Sequence, residues 1–432
     1  MNIDKEISKL IQETISQLKN KSIGKNGLIR KIYFINEKKW YEFYKPDDYG
    51  DHVPFISVGE SSTVFAKKQL DLWKNRMLDG VPVPKHTKPL PVFPALIYLD
   101  DFLDGLAVMY HTFRDQQFLE EGVSICNKIN KLFSFFNGSY SSVVLPYLHI
   151  PIPEGLLPVK PSLKKIWFVN SAANGLVCEK MLDFGVWSKN KKLIERARKC
   201  IDYQINLQTF KKYGIFPDMS FPADSPICHV AKFNTNPAYS LLKSSQIKGG
   251  EQHKKALIRN IDSVFDIFYS DGGIIDHYNP KKSRKGEVSF VSTNAFCRLL
   301  IEASLLLQKE KYWKIAEDIV FNIAEQAFLS KKNNFWKEQM YEDDGEGDFA
   351  NLVMILDKKR NHINLLEIIF KDMVNKFYIG DGIWKDYYPK KMQQTAHSKY
   401  LGGVLKYLVI YKAYRNNEDM LSKKWLYISQ DR

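Results

Sequence analysis

GGIID at Gly272 to Asp276 is the stretch on which the reading of this chain turns, because the same shape recurs three times: GIFPD at Gly214 to Asp218, NFWKE at Asn334 to Glu338 and GIWKD at Gly382 to Asp386. Each copy follows a long amphipathic segment rich in Lys and Glu. Each is followed in turn by an apolar segment that opens on small or capping residues: NTNPAYSLL from Asn234, VSTNAFCRLLIEA from Val291, GDFANLVMIL from Gly347 and TAHSKYLGGVLKYL from Thr395. A helix that is apolar nearly all round is buried on most sides, whereas one with a polar stripe borders solvent. The alternation therefore predicts an inner helix after every outer one, with the acid-ending stretch as the connection between them.

The same alternation runs upstream. An apolar helix is expected from about Ala95 to His111 and an amphipathic one from about Asp115 to Phe136; a second pair falls at about Asn170 to Phe184 and Asn190 to Phe210. Six apolar helices, near residues 97, 170, 236, 291, 348 and 396, result, and the last finds its partner in the N-terminal helix at Asp4 to Lys19 or in the C-terminal tail. Self-similarity at this period predicts an all-α fold, an (α/α)6 toroid over residues 95–432. Residues 1–94 read differently, as an N-terminal helix, a β-hairpin in Asn26 to Tyr44 and a proline-rich extended stretch in Val81 to Pro94, an extension packed on one face of the toroid. The pattern resembles the six-hairpin glycosidase superfamily and its relatives, and that resemblance implies a carbohydrate-active enzyme.

Composition narrows the classes. The chain has 432 residues with 44% hydrophobic residues and a formal charge of +14. The longest apolar runs, Leu352 to Leu356 and Tyr407 to Tyr411, are far short of the roughly 20 residues that span a bilayer. Lysine is scattered through the chain, so the charge reads as solvated surface rather than a nucleic-acid footprint; its one concentrated run is Lys281, Lys282, Arg284 and Lys285. The start MNIDKEISKLIQE has no apolar core of a signal peptide, from which a cytoplasmic location is expected. Five cysteines without a CxxC pair read as buried, reduced thiols. GxSxG, GxxxxGK[ST] and HExxH are all missing from the sequence, and no cofactor or metal is expected.

In such a toroid the inner helices converge on a cleft, so the repeat acids Asp218, Asp276, Glu338 and Asp386 belong on one rim. Glycoside hydrolysis needs two carboxylates, and elimination or epimerisation needs a base and an acid. Asp276, His277 and Tyr278 combine carboxylate, imidazole and phenol, with Arg284 placed to hold a substrate carboxylate. Glu342, Asp343, Asp344, Glu346 and Asp348 form the densest acidic cluster. Trp384, Asp386, Tyr387, Tyr388, Pro389 and then His397 repeat the composition of the Asp276 unit, and Trp384, Asp386, Tyr388 and Pro389 match in order a stretch of the glucuronyl 5-epimerases, which this segment resembles. The expected catalytic residues are Asp276, His277, Tyr278, Glu342, Asp344, Asp386 and Tyr388. Expected at the substrate are Asp104, Asp218, Arg284, Trp336, Glu338, Trp384 and His397, the tryptophans as faces on which sugars stack. The substrate expected is a glycan, uronate-containing ones included, turned over by hydrolysis, elimination or epimerisation. The alternatives are a non-catalytic glycan- or protein-binding scaffold, a terpenoid-type cyclase using Asp100, Asp101 and Asp104 in DDFLD, and a lanthionine-cyclase-like zinc site at Cys178, Cys228 and His229.

Overall fold

The computed structural model describes residues 3–42, 44, 47–74, 96–134, 138–141, 169–220, 224–330, 335–340, 343–386 and 395–423. In chain order its helices begin with α1 (Ile3–Ser16), α2 (Asp47–Glu60), α3 (Val64–Trp73), α4 (Leu96–Phe113) and α5 (Gln116–Leu132). Next come α6 (Ser171–Trp187), α7 (Lys191–Ile205), α8 (Gln208–Tyr213), α9 (Thr235–Ser245), α10 (Glu251–Phe268) and α11 (Phe290–Leu307). The last are α12 (Glu310–Ala324), α13 (Phe335–Gln339), α14 (Asp343–Leu356), α15 (Ile363–Phe377) and α16 (Ser398–Arg415).

Burial separates them into two shells. Helix α6 is buried from Ser171 to Gly185 except at Leu176, and Asn170 caps it by accepting from the Ala173 N–H at 3.0 Å. Its successor α7 buries only the stripe Leu193, Ala197, Cys200, Ile201, Gln204 and Ile205. Helices α2, α4, α6, α9, α11, α14 and α16 pack each against the next, and α16 returns to α2, closing an inner ring. Outside it, α3 lies on α2, α5 on α4, α7 on α6, α10 on α9, α12 on α11, α15 on α14 and α1 on α16. Helix α11, the one described helix long and apolar enough to cross a membrane, is an inner helix of this ring.

The all-α toroid thus stands, and the six hairpins read from residue 95 onward are present, with the N-terminal helix as the outer partner of α16. The ring itself holds a seventh hairpin, α2 and α3, drawn from the segment read as an extension; α2 is part of the wall. Pro54 inside α2 concealed it, because an interior proline removes a backbone donor and normally breaks a helix. The proline-rich stretch at Val81 to Pro94 lies outside the described residues.

Glycines set how closely α2 sits between its neighbours. A Cβ on Gly105 of α4 would lie 2.6 Å from Gly50 Cα, and one on Gly402 of α16 would lie 2.4 Å from the Asp51 carbonyl oxygen. Both obstacles are backbone, which cannot rotate away. Gly105→Ala is therefore expected to cost about 1–3 kcal/mol as an overpacked seam, seen as a lower urea midpoint at unchanged slope. An unchanged midpoint would mean that α2 is not wedged in the ring.

Short strands trim one end of the toroid: β1 (Ile32–Phe34), β2 (Lys39–Trp40), β3 (Cys228–His229), β4 (Tyr269–Ser270), β5 (Gly273–Ile274), β6 (His277–Asn279), β7 (Arg284–Lys285), β8 (Tyr378–Gly380), β9 (Ile383–Trp384) and β10 (Thr395–His397). The sheets are β10-β1-β2, β3-β6-β7, β4-β5 and β8-β9. They include the expected hairpin and two of the four acid-ending stretches, those at Asp276 and Asp386, while the stretch at Asp218 is strandless and the strand near it, β3, comes ten residues later. The fourth, at Glu338, is helix α13 instead.

Candidate active site

Each inner helix starts where the preceding outer helix ends, so the strands gather at the N-terminal mouth of the ring. Two acid-ending stretches fold there into the same device. The Asp218 N–H donates to the carbonyl of Ile227 at 3.2 Å, and the Asp386 N–H donates to that of Thr395 at 3.1 Å, each nine residues on. Two residues further stand His229 and His397. Asp218 Oδ1 accepts from the His229 backbone N–H at 2.8 Å while Oδ2 meets ring Nδ1 at 2.6 Å. Asp386 Oδ1 accepts from the His397 backbone N–H at 2.6 Å, and Oδ2 meets ring Nδ1 while also accepting from Thr395 Oγ1 at 2.7 Å. Both oxygens of each aspartate are thus occupied in orienting an imidazole, which turns Nε2 outward. Burial of the two carboxylates, Asp386 completely, makes these contacts stronger than in water.

The third copy is built differently. The Asp276 N–H donates to the Glu287 carbonyl at 2.8 Å, eleven residues on, so the place two residues beyond is Ser289, the cap of α11. Asp276 meets its neighbour His277 instead. Oδ1 accepts from the His277 backbone N–H at 2.7 Å, and ring Nδ1 lies 2.8 Å from the same oxygen without an aligned hydrogen bond. Because β3 and β6 pair antiparallel with His229 opposite His277, the two rings face each other at 5.3 Å. The hydrogen bond from Asp218, and the charges of Asp218 and Asp276, raise the His229 pKa against the opposing effect of burial. Tyr278 joins this sheet half-buried, edge-on to Phe268.

Below the mouth the interior is charged. Asp104 on α4, Arg298 on α11 and Lys406 on α16 are each the ninth residue of their helices, about 12 Å down at 1.5 Å per residue; Asp348 on α14 sits beside Lys406 at 3.3 Å. Asp104, Arg298 and Asp348 keep 42%, 43% and 44% of their side-chain surface accessible, which for inner-helix residues means that a cavity reaches them. At this level and beneath it access ends. Lys180, 2% accessible, bridges Asp104 at 2.6 Å and Glu179 at 3.1 Å; Lys243 bridges Asp183 at 3.2 Å; Glu302 accepts from Arg298 at 3.4 Å. Burial lifts the Glu179 and Glu302 carboxyls. Burial also pushes Asp104 up, but Lys180, Arg298 and Lys406 outweigh it and leave it below the ordinary carboxylate value. The result is a blind pocket closed by an ionic plug.

Several expected residues lie elsewhere. Trp336 and Trp384 are fully buried: Trp384 donates from Nε1 to Thr14 Oγ1 at 3.1 Å, and a Cβ on Gly273 would lie 2.4 Å from the Trp336 ring, so neither offers a face to a sugar. Glu338 and Arg284 point to solvent, Glu338 because its stretch is helical and Arg284 because it ends a projecting hairpin. Glu342 and Tyr388 lie outside the described residues, as does the side chain of Asp344. Of the two cluster acids whose side chains are described, Asp348 faces the pocket. Glu346 turns the other way, fully buried against Lys376 and Asp372 of α15, where burial pushes its carboxyl up to about 7. Its folded value lies above the unfolded one, so its contribution to stability is present in acid and is lost as pH rises through about 7. Glu346→Gln is expected to flatten that limb of a stability–pH curve; parallel curves for the two proteins would refute it.

The cyclase alternatives lose their geometry. Asp104 holds an ammonium, which is the wrong partner for a metal-binding DDFLD acid. Cys178 neighbours Cys200, while Cys228 lies on β3 beside Asp218, so the two cysteines do not converge on His229. His229 was missed as a proton-transfer residue; its signal was the offset of eleven residues from acid to histidine, shared with Asp386 and His397. Arg298 and Lys406 carried no signal beyond a charge within an apolar helix.

No family model and no curated protein matches the sequence. Solved structures do. The α-1,2-mannosidase from Trichoderma reesei superimposes with a TM-score of 0.67 at 9% identity, over 94% of this chain and 92% of that one. Cellobiose 2-epimerase from Bacillus thermoamylovorans gives 0.58 at 9% identity over 94% and 100%, and a D-mannose isomerase gives 0.58 at 10% identity over 96% and 99%. At such identities the likeness is one of fold, and the chain shares the α/α-toroid fold of these structures.

Proposed function

We propose that the protein is a carbohydrate-active enzyme that epimerises or isomerises a sugar by moving a carbon-bound proton between imidazoles at the mouth. One observation carries this: the rim aspartates Asp218 and Asp386 spend both oxygens on histidines. Carboxylates so engaged are poor nucleophiles or acids for hydrolysis, whereas the histidines they orient are suited to general acid–base work near neutral pH. In the open-chain aldose the C2 hydrogen is acidified by the C1 carbonyl. One imidazole removes it as a proton while a second, protonated one gives a proton to O1, so that an enediol forms; a proton then returns to C1 as O2–H gives one up, giving the ketose, or to the opposite face of C2 as O1–H gives one up, giving the epimer. His229, His277 and His397 are the groups for these transfers, and Asp276 supports His277. The superimposed epimerase and isomerase support the reading as fold-level analogy. Acidic substituents would find their cations outside the pocket, on the exposed Lys281, Lys282, Arg284 and Lys285. The buried free thiols fit the cytoplasmic location expected above.

Nuclear magnetic resonance in D₂O tests this. Incubation with D-mannose, D-glucose, D-fructose, cellobiose and D-glucuronate is expected to exchange the C2 hydrogen of at least one aldose or a C1 hydrogen of the ketose, and exchange in none would refute the reaction. A glycosidase is the second reading, favoured by the accessible carboxylates Asp104 and Asp348 beside Arg298. Release of the aglycone from aryl glycosides, lost in Asp348→Asn and retained in His229→Gln, would select it. Inactivity in both assays would leave the binding scaffold.

A further inference from the structure

We infer that the lower pocket is a subsite for an uncharged, polyhydroxylic sugar end, with Asp104 and Asp348 accepting its hydroxyl protons and Arg298 donating to its oxygens. This rests on the carbohydrate reading above but not on the reaction assigned to the histidines. The accessible walls carry Asp104 and Asp348 against Arg298 and Lys406, so their formal charges cancel. The plug below adds Lys180 and Lys243 against Glu179, Asp183 and Glu302 and brings no surplus cation. A carboxylate or phosphate entering the pocket would therefore meet two exposed aspartates with no surplus cation to balance them. A neutral sugar meets the opposite situation. Ionised carboxylates are acceptors only and take hydroxyl protons in charge-assisted bonds, while guanidinium is a donor only.

Independent observations also point to a ligand here. Tyr239 Oη is inaccessible and has no hydrogen-bond partner, although it stands next to Arg298 and one turn from Lys243 on α9. The side-chain oxygens of Asn294, one turn above Arg298, and Asn351, beside Asp348, are likewise unpartnered. Buried polar atoms are normally satisfied, and a hydroxylated ring offers both donors and acceptors at this level. The ionic plug keeps the pocket blind, so the ring that enters is a terminal one.

D-Glucose and D-glucuronate differ only at C6 and make a matched pair of probes. Their dissociation constants, measured by ligand-detected magnetic resonance on wild type and on His229→Gln, are expected to favour glucose by about tenfold or more, the scale of one charge-assisted interaction. Asp348→Asn and Asp104→Asn should each weaken glucose by about tenfold, and the double variant should bring glucuronate to within about threefold of glucose. Melting temperatures identify any variant that fails to fold; the wild-type pair decides on its own if one does. Tighter binding of glucuronate, no binding of either probe, or asparagine variants with unchanged constants would overturn the subsite. Glucose bound while none of the five sugars exchanges would refute the reaction and leave the subsite standing, whereas exchange together with equal binding of both probes would do the reverse.

Discussion

His229→Gln is expected to lower kcat by about 10²- to 10⁴-fold, the usual contribution of a positioned general acid or base, with His397→Gln in the same range. Glutamine can keep a hydrogen bond to the aspartate beneath it, so the fold and the pocket below should be undisturbed and KM should change little. The pH profile separates chemistry from support. Asp218 raises the His229 pKa by hydrogen bonding to the ring. If His229 is the base it must be neutral, and activity falls as pH drops through its pKa. Asp218→Asn removes the raising influence, so the acidic limb of kcat/KM should move to lower pH while the maximal rate falls less than in His229→Gln. An unmoved limb would mean that another group is the base, and a loss equal to that of His229→Gln would mean that Asp218 takes part directly.

How much of this was legible in the sequence depends on what each signal measures. Apolar periodicity reports burial, and burial on all sides is what distinguishes α6, α11 and α16 from their outer partners; those helices could be read directly. Helix α2 could not, because Pro54 breaks the local rule while the ring around it supplies the stabilisation that propensity lacks. The acids of the repeat were legible as positions but not as roles. Asp218 and Asp386 were read as free carboxylates, yet the loop that returns a backbone N–H and an imidazole to each of them spans eleven residues, and only three-dimensional closure shows it. Glu346 illustrates the complementary limit: it stands two residues from Asp348, and the helical turn between them sends one toward α15 and the other into the pocket. Tryptophan was misread for a simpler reason. An aromatic beside an acid in a rim stretch suits sugar stacking and core packing equally, and burial alone separates them.

Trp384→Ala is expected to destabilise the protein by about 3–5 kcal/mol, the cost of emptying a fully buried aromatic site, and to leave KM of the remaining folded enzyme unchanged. Trp384 lies on β9 and reaches the first helix of the chain, donating to Thr14 of α1, with Tyr378 packed against it at 5.0 Å. Gly382, two residues before, adopts φ +75, and a Cβ there would lie 2.1 Å from the Glu13 carbonyl oxygen, so the turn before β9 is pressed onto the same helix. The contact therefore joins the outer partner of α16 to the rim strands that precede His397, closing the ring between the two ends of the chain. Trp384→Phe keeps most of the ring volume and loses the hydrogen bond, for which about 1 kcal/mol is expected. A graded loss, alanine far below phenylalanine with sugar affinity unaltered in both, is the signature of a packing role. A stacking platform would give the reverse: near-normal urea midpoints and a large rise in KM. That outcome would restore Trp384 to the cleft and remove the pin that holds α1 against α16.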